Sequence, residues 1–403
     1  MLISVKINNC FAFNEEVEFS LKADLRTKKF PFNYYTNGNV NVLKSAVIYG
    51  PNNTGKTNFI KCIREIKNTL LNKKSYLMAN IFKNNDVSSI ELKFLDKSEI
   101  YSYSYKYNWL KREYLYEKFS QLIIDEHKNE KEKIYFLRDI VNNQFASIDQ
   151  ELEKTLSILS KDNILIYTLD AERFPILKDI KNMLVSFGEK IVVIDMNNTN
   201  DQKEIEILKE NSKRSKKLVE LIKSADLYLD NLYYDENADL SFAQDVKEEE
   251  FREKLKLVSV YKKQKMPSFL YDSVGTRKFS CLAAYIIDGL KKEKILFVDE
   301  VDSSLHFKLT RAIFSLYNND VNQKAQLICT SHDVSLLDCK RLFRKEQIWF
   351  TDKNDYTTKL YSLKNYLANE DGVRSDSDIY DLYSKGLFDA IPEPNLMEIF
   401  DEE

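Results

Sequence analysis

The stretch Gly50-Pro-Asn-Asn-Thr-Gly-Lys-Thr57 constrains this chain more than any other. It fits G-x-x-x-x-G-K-[ST], a pattern that works only between a strand and a helix, where backbone N–H groups can close around phosphate oxygens. Both flanks comply. Ser45–Tyr49 (SAVIY) reads as a short apolar strand, and from Asn58 to about Leu71 the residues Phe59, Ile63, Ile66 and Leu70 share one helical face. The spacing predicts an α/β fold with a nucleotide site: Lys56 on the β- and γ-phosphates of ATP, and Thr57 on Mg²⁺. Gly50, Pro51, Asn52, Asn53, Thr54, Gly55 and Asn58 complete the lining. Glycine is scarce, 8 of 403 residues, so its persistence at Gly50 and Gly55 marks places where backbone must meet phosphate.

Three later segments belong with this loop. Ile295-Leu-Phe-Val-Asp299-Glu300 reads as a strand buried on both faces and ending in two carboxylates. Asp299 is the expected second Mg²⁺ ligand, and Glu300 the group that polarises an attacking water. Leu327-Ile-Cys-Thr-Ser-His332 is another strand with a polar end, which places His332 where an imidazole can meet a γ-phosphate. Asp272-Ser273-Val-Gly275-Thr276 opens a helix with an apolar face (Phe279, Leu282, Ala283, Ile286). Its start reads equally as an anion site and as ordinary capping by Ser273.

Elsewhere the pattern changes by region. Residues 2–21 alternate around Asn8-Asn9 as a β-hairpin, and 90–137 read as an antiparallel sheet rich in Tyr and Phe. The block 145–265 carries charged helical faces and reads as a helical insertion. Three units follow: 1–144 with the phosphate loop, 145–265, and 266–403 with the remaining motifs. Sixty basic against 63 acidic residues require no nucleic acid but leave room for a local basic stripe. The five cysteines lack metal-ligand or disulfide-scaffold spacing and read as buried thiols. No basic leader and no apolar run of membrane length is visible, so the expected location is cytoplasmic, without a membrane partner.

In this order the segments resemble the ATP-binding-cassette superfamily, in its SMC/RecF-like branch. Ser273, Gly275 and Thr276 match the signature motif, Asp302-Ser-Ser-Leu-His306 the D-loop, and His332 the switch histidine. The start (ISVKINNCFAFNEEVEFSL), DEVDSSLH, TSHDVSLLD, QIWFTDK, KLYSL and Tyr383-x-x-Gly386-x-x-x-Ala390-Ile-Pro392 are similar to the stand-alone bacterial AAA/ABC-type ATPases of abortive-infection and anti-phage systems, relatives of AriA, PtuA and AbiLi. The resemblance implies an ABC-type P-loop ATPase head with an N-terminal antiparallel sheet and a helical insertion. It also implies a head-to-head homodimer, or a higher oligomer, in which the signature of one subunit caps the nucleotide of the other. A separate effector encoded nearby, a nuclease or Toprim protein, is the implied partner. Phe11 or Phe13 is expected near the adenine, and Gln121 and Gln144 are the candidates for the Q-loop.

Other readings compete. A RecF-like DNA-repair ATPase would bind duplex DNA with steep salt dependence. A transporter subunit suits neither the N-terminal hairpin nor the long separation of loop and signature. A scaffold that binds ATP without turnover leaves Glu300 without a purpose. Asp376-Ser-Asp378 reads as a loop rather than a nuclease motif, and too little chain follows His332 for a Toprim domain.

Overall fold

The computed structural model describes residues 1–391 except 39, 125–129, 170–172, 226–227, 244, 355, 368–369 and 375–376. Pro392, Asp376 and the acidic tail therefore lie outside the described residues. Strands β1 (Leu2–Asn8) and β2 (Val17–Ser20) form the N-terminal hairpin. A small ribbon, β3 (Tyr34–Asn37) and β4 (Val40–Leu43), precedes β5 (Ser45–Tyr49). The strands β6 (Val87–Asp96), β7 (Glu99–Asn108), β8 (Glu113–Ile124), β9 (Glu130–Asp139) and β10 (Gln144–Ser147) follow as a meander. Next come β11 (Ile191–Asp195), β12 (Asn231–Tyr234), β13 (Leu257–Tyr261) and β14 (Gln264–Pro267). The last four are β15 (Ile295–Asp299), β16 (Gln326–Thr330), β17 (Ile348–Asn354) and β18 (Thr357–Ser362). Six helices of eight residues or more are described: α1 (Lys56–Leu70), α2 (Pro175–Lys190), α3 (Gln202–Lys209), α4 (Lys213–Ser224), α5 (Val274–Lys291) and α6 (Phe307–Tyr317).

The central sheet runs β11-β15-β16-β5-β17-β18, parallel throughout except for β18. Its inner strands are apolar and buried on both faces, as parallel strands covered by helices must be. Alternation sorts their side chains into two cores. Ile295, Phe297, Ile48 and Trp349 join α1, α2 and the outer sheet. Leu296, Val298, Tyr49 and Phe350 join α3, α4, α5 and α6. The outer sheet, β10-β9-β8-β7-β6-β1-β2, is antiparallel and seven-stranded, as the Tyr- and Phe-rich alternation predicts.

Two expectations change. The hairpin does not turn at Asn8-Asn9: the connection runs from Asn9 to Glu16 and folds on itself, with Cys10 bridging Phe13. Asn9 and Phe11 take left-handed φ of 53° and 50°, and the Asn9 amide donates to the carbonyls of Asn85 and Val87. Side-chain bonding to a neighbouring loop thus outweighs a tight turn. The block 145–265 holds α2, α3 and α4 but also strands: the end of β10, β11 as an edge of the central sheet, and β12, β13 and the start of β14, which form a sheet of their own. Each of these strands is four or five residues long, too short for alternation to stand out beside charged helical segments.

Candidate functional site

Strand register brings the sequence motifs to one edge of the central sheet. Asp195 pairs with Asp299, Thr330 with Ile48, and Phe350 with Tyr49. The residues that follow these positions therefore emerge side by side, at the carboxyl ends of the strands where ligands of open α/β sheets bind.

The phosphate loop is built around its glycines. Gly50 has φ 153°, and a Cβ there would lie 2.2 Å from Thr351 Oγ1 and 2.4 Å from the Thr351 carbonyl. Gly55, at φ 107°, caps the start of α1, and a Cβ there would meet Thr358 Cγ2 at 2.6 Å. Asn53 also sits in the left-handed region, at 64°. Thr54 fastens the loop to β17 through its hydroxyl, 2.7 Å from Thr351 Oγ1. Lys56 is buried and folds back, Nζ donating to the carbonyls of Gly50 (2.6 Å) and Pro51 (2.8 Å). Burial lowers its pKa from 10.5 to about 8, against the opposing charges of Asp299, Glu300 and Asp302. Pro51 and Asn58 are half-buried, and Asn52, Asn53 and Thr57 stand exposed.

At the end of β15, Thr330 joins the two carboxylate residues. Its hydroxyl donates to Asp299 Oδ1 at 2.6 Å and accepts from the Glu300 backbone N–H at 2.7 Å. Glu300 has a left-handed φ of 54°, uncommon outside glycine and a marker of a turn fixed by its surroundings. The D-loop carboxylate Asp302 accepts from the His332 backbone N–H at 3.1 Å. His332 is pushed below the usual imidazole range by burial and then by the Lys56 ammonium, so it stays neutral near neutral pH.

These residues fit ATP and Mg²⁺. Thr57 offers an exposed hydroxyl and Asp299 a carboxylate, the hard oxygen donors that Mg²⁺ shares with phosphate and water. Thr358 Oγ1, buried beside Gly55, has no hydrogen-bond partner among the described residues.

The signature segment lies apart from this cluster. Ser273 caps α5, accepting from the Thr276 N–H at 3.1 Å, and is exposed; Gly275 and Thr276 are half-buried. Together with Ser304, His306 and Lys308 they line an open cleft of about 560 Å³. Gly275 packs on the D-loop: a Cβ there would lie 2.6 Å from the Ser304 carbonyl. Below, Asp272 is buried and accepts the hydroxyls of Ser259 (2.6 Å), Tyr261 (2.7 Å) and Ser268 (2.7 Å).

Phe13 is fully buried in the first core, so it has no surface to offer a base; Phe11 is half-buried at its edge. Gln121 and Gln144 both belong to the outer sheet, where Gln121 engages Glu99 and Tyr135. Thr330, Thr351, Thr358, Asp272 and Asn197 were missed. Thr330, directly before the Ser-His pair, and Asp272, directly before Ser273, carried a sequence signal; the other three did not. The C-terminal motif proves to be packing: Tyr383 stacks on Phe350 and donates to the Ala390 carbonyl.

A parallel sheet that delivers a glycine-built phosphate loop and an acidic strand end to one edge is the architecture of a P-loop nucleotide-binding domain. The chain belongs to the family described as "AAA domain, putative AbiEii toxin, Type IV TA system", whose model matches residues 45–338. None of the curated proteins matches it. Among solved structures it is similar to the SMC head domain from Thermotoga maritima, at 13% identity and a TM-score of 0.45, covering 90% of this chain and 98% of that one. It is also similar to an SMC head bound to the C-winged helix domain of ScpA, at 12% identity and a TM-score of 0.46, with 90% and 97% covered. All five cysteines are free and buried, and no described helix is long and apolar enough to cross a membrane.

Proposed function

We propose that this chain is an ATP-hydrolysing dimerising switch of a bacterial abortive-infection system, which senses infection and controls a separate effector such as a nuclease or Toprim protein. One observation carries the switch: Ser273, Gly275 and Thr276 line an open cleft that no phosphate-loop residue lines, which supports their capping a nucleotide held by a second copy. Support for the defence role comes from the family's own description, a toxin of a toxin–antitoxin system.

Lys56 holds the β- and γ-phosphates, and Ser273, Gly275 and Thr276 cap those of the partner copy. Thr57 and Asp299 would hold magnesium, which when bound would neutralise charge on the phosphate oxygens. Glu300 accepts a proton from the attacking water as its oxygen bonds to the γ-phosphorus and the bond to the bridging oxygen breaks, leaving ADP and phosphate. His332, neutral, contacts the γ-phosphate in the same subunit. Closure accompanies binding, and hydrolysis reopens the pair.

Phage protection in a host carrying the complete locus tests the role. Lys56→Ala is expected to abolish protection and Glu300→Gln to trap an ATP-bound dimer; normal protection by Lys56→Ala overturns the reading. A second reading, a RecF-like ATPase binding duplex DNA, is favoured by a cleft of about 550 Å³ lined by Lys73, Lys74, Arg112, Tyr76 and Trp109. Duplex binding by the purified chain that requires ATP and weakens steeply with salt would select it.

A further inference from the structure

Glu300 is held by a residue that no motif contains. Asn197 stands in the loop after β11, the edge strand of the central sheet beside β15. Its Nδ2 donates to Glu300 Oε2 at 2.7 Å. Its Oδ1 accepts from Ser303 Oγ of the D-loop at 3.0 Å, and Ser303 Oγ in turn accepts from Lys278 Nζ of α5 at 2.8 Å. The loop is anchored from below: Asn197 N–H donates to Asp195 Oδ1 at 2.9 Å, and Met196 N–H to the Asp299 carbonyl at 3.2 Å.

The direction of this chain of bonds is fixed by chemistry. An ammonium can only donate, so Ser303 accepts from Lys278 and its own proton goes to an acceptor. That acceptor is the Asn197 carbonyl oxygen, which leaves the amide N–H groups to face Glu300. A carboxylate can only accept. Cation, hydroxyl, amide and carboxylate thus form one polarised series running from the signature helix to the end of β15. An aspartate at 197 could not occupy it, since it has nothing to donate to Glu300.

We infer that Asn197 is a positioning residue for hydrolysis, and that Lys278, Ser303 and Asn197 make the orientation of the Glu300 carboxylate depend on the position of the signature helix. The inference rests on the reading of Glu300 as the water-activating group. It extends that reading by linking two half-sites of one subunit. Gly275 lies directly on the Ser304 carbonyl, so docking of a partner's nucleotide at the start of α5 bears on the turn that carries Ser303. One Glu300 oxygen is held by Asn197; the other is available to a water.

The test is steady-state Mg-ATP hydrolysis by the purified full chain, with affinity for a fluorescent ATP analogue measured alongside. Asn197 is exposed, so its variants keep the fold, and a thermal melt checks this. Asn197→Ala is expected to lower kcat about 10- to 100-fold, with KM and analogue affinity unchanged within about twofold. Asn197→Asp is expected to be at least as damaging despite its near-identical shape, because two adjacent carboxylates repel. Ser303→Ala lowers kcat less, and Asn197→Ala/Ser303→Ala is no slower than Asn197→Ala alone, as for residues acting in series. Wild-type kcat in Asn197→Ala, with Glu300→Gln inactive, overturns the relay and leaves the proposed function standing. A loss appearing in KM rather than kcat, or additive losses in the double variant, also overturns it. Unimpaired turnover by Glu300→Gln overturns the proposed function and the relay with it.

Discussion

The phosphate loop and the signature segment, both proposed to face phosphate, are built in opposite ways. The loop is closed: Gly50 and Gly55 are pressed against Thr351 and Thr358, and Lys56 is buried against the loop's own carbonyls. The signature segment is open. Ser273 stands exposed on a solvent cleft, its described hydrogen bonds going only to Thr276 and Arg277 in the first turn of its own helix. The loop is held by contacts within its own subunit; the signature is firm beneath, at Asp272, and bare above, as the proposed capping of a second copy's nucleotide requires.

The contrast can be broken at its glycines. Gly50→Ala combines a disfavoured φ with an overlap on Thr351, and should weaken ATP-analogue binding by about 100-fold or more. Gly275→Ala should leave that affinity within about twofold and weaken ATP-driven self-association about tenfold, read by analytical ultracentrifugation. If both substitutions acted equally on nucleotide affinity, the division into a cis and a trans device would fail.

Asp272 sharpens the other half of the contrast. Asp272→Ala leaves three hydroxyls without their acceptor, and a loss of about 2 kcal/mol or more is expected, a fall in Tm of about 2 °C or more. Nucleotide affinity of the loop should hold. An effect confined to alkaline pH is expected from Glu204, buried under α5 with the Ser280 hydroxyl donating to it. Burial raises its pKa from 4.5 to about 8, so the folded state binds a proton that the unfolded chain releases. The stability this contributes is complete below about pH 4.5 and is lost as pH rises to about 8. Glu204→Gln should therefore melt about 3 °C or more higher at pH 8.5 and match the wild type near pH 4.5. An unchanged difference across that range would show that the carboxyl is not held neutral.

Much of this was legible in the order of residues. The phosphate loop, strands β5, β15 and β16, helices α1 and α5, and the Tyr-rich outer sheet all follow from local pattern. The middle block was less legible because β11 shows four apolar residues and an aspartate, and only its neighbour β15 makes it a sheet edge. The site followed the same division. Lys56, Asp299 and Glu300 sit in motifs whose chemistry is local. Asn197 and Thr351 act through partners distant in sequence, Asn197 through Glu300 and Thr351 through Gly50, and Asp272 gathers Ser259, Tyr261 and Ser268 from the β13–β14 hairpin and the turn after it.

By itself, then, the sequence determined where backbone must approach phosphate and where carboxylates end a buried strand, because glycine freedom and strand alternation are properties of a few adjacent residues. Tertiary structure alone decided that β11 lies beside β15, that Asn197 therefore reaches Glu300, and that the signature shares a cleft with Ser304 and His306. Those facts depend on strand order and register, which are set by how two cores pack on opposite faces of one sheet.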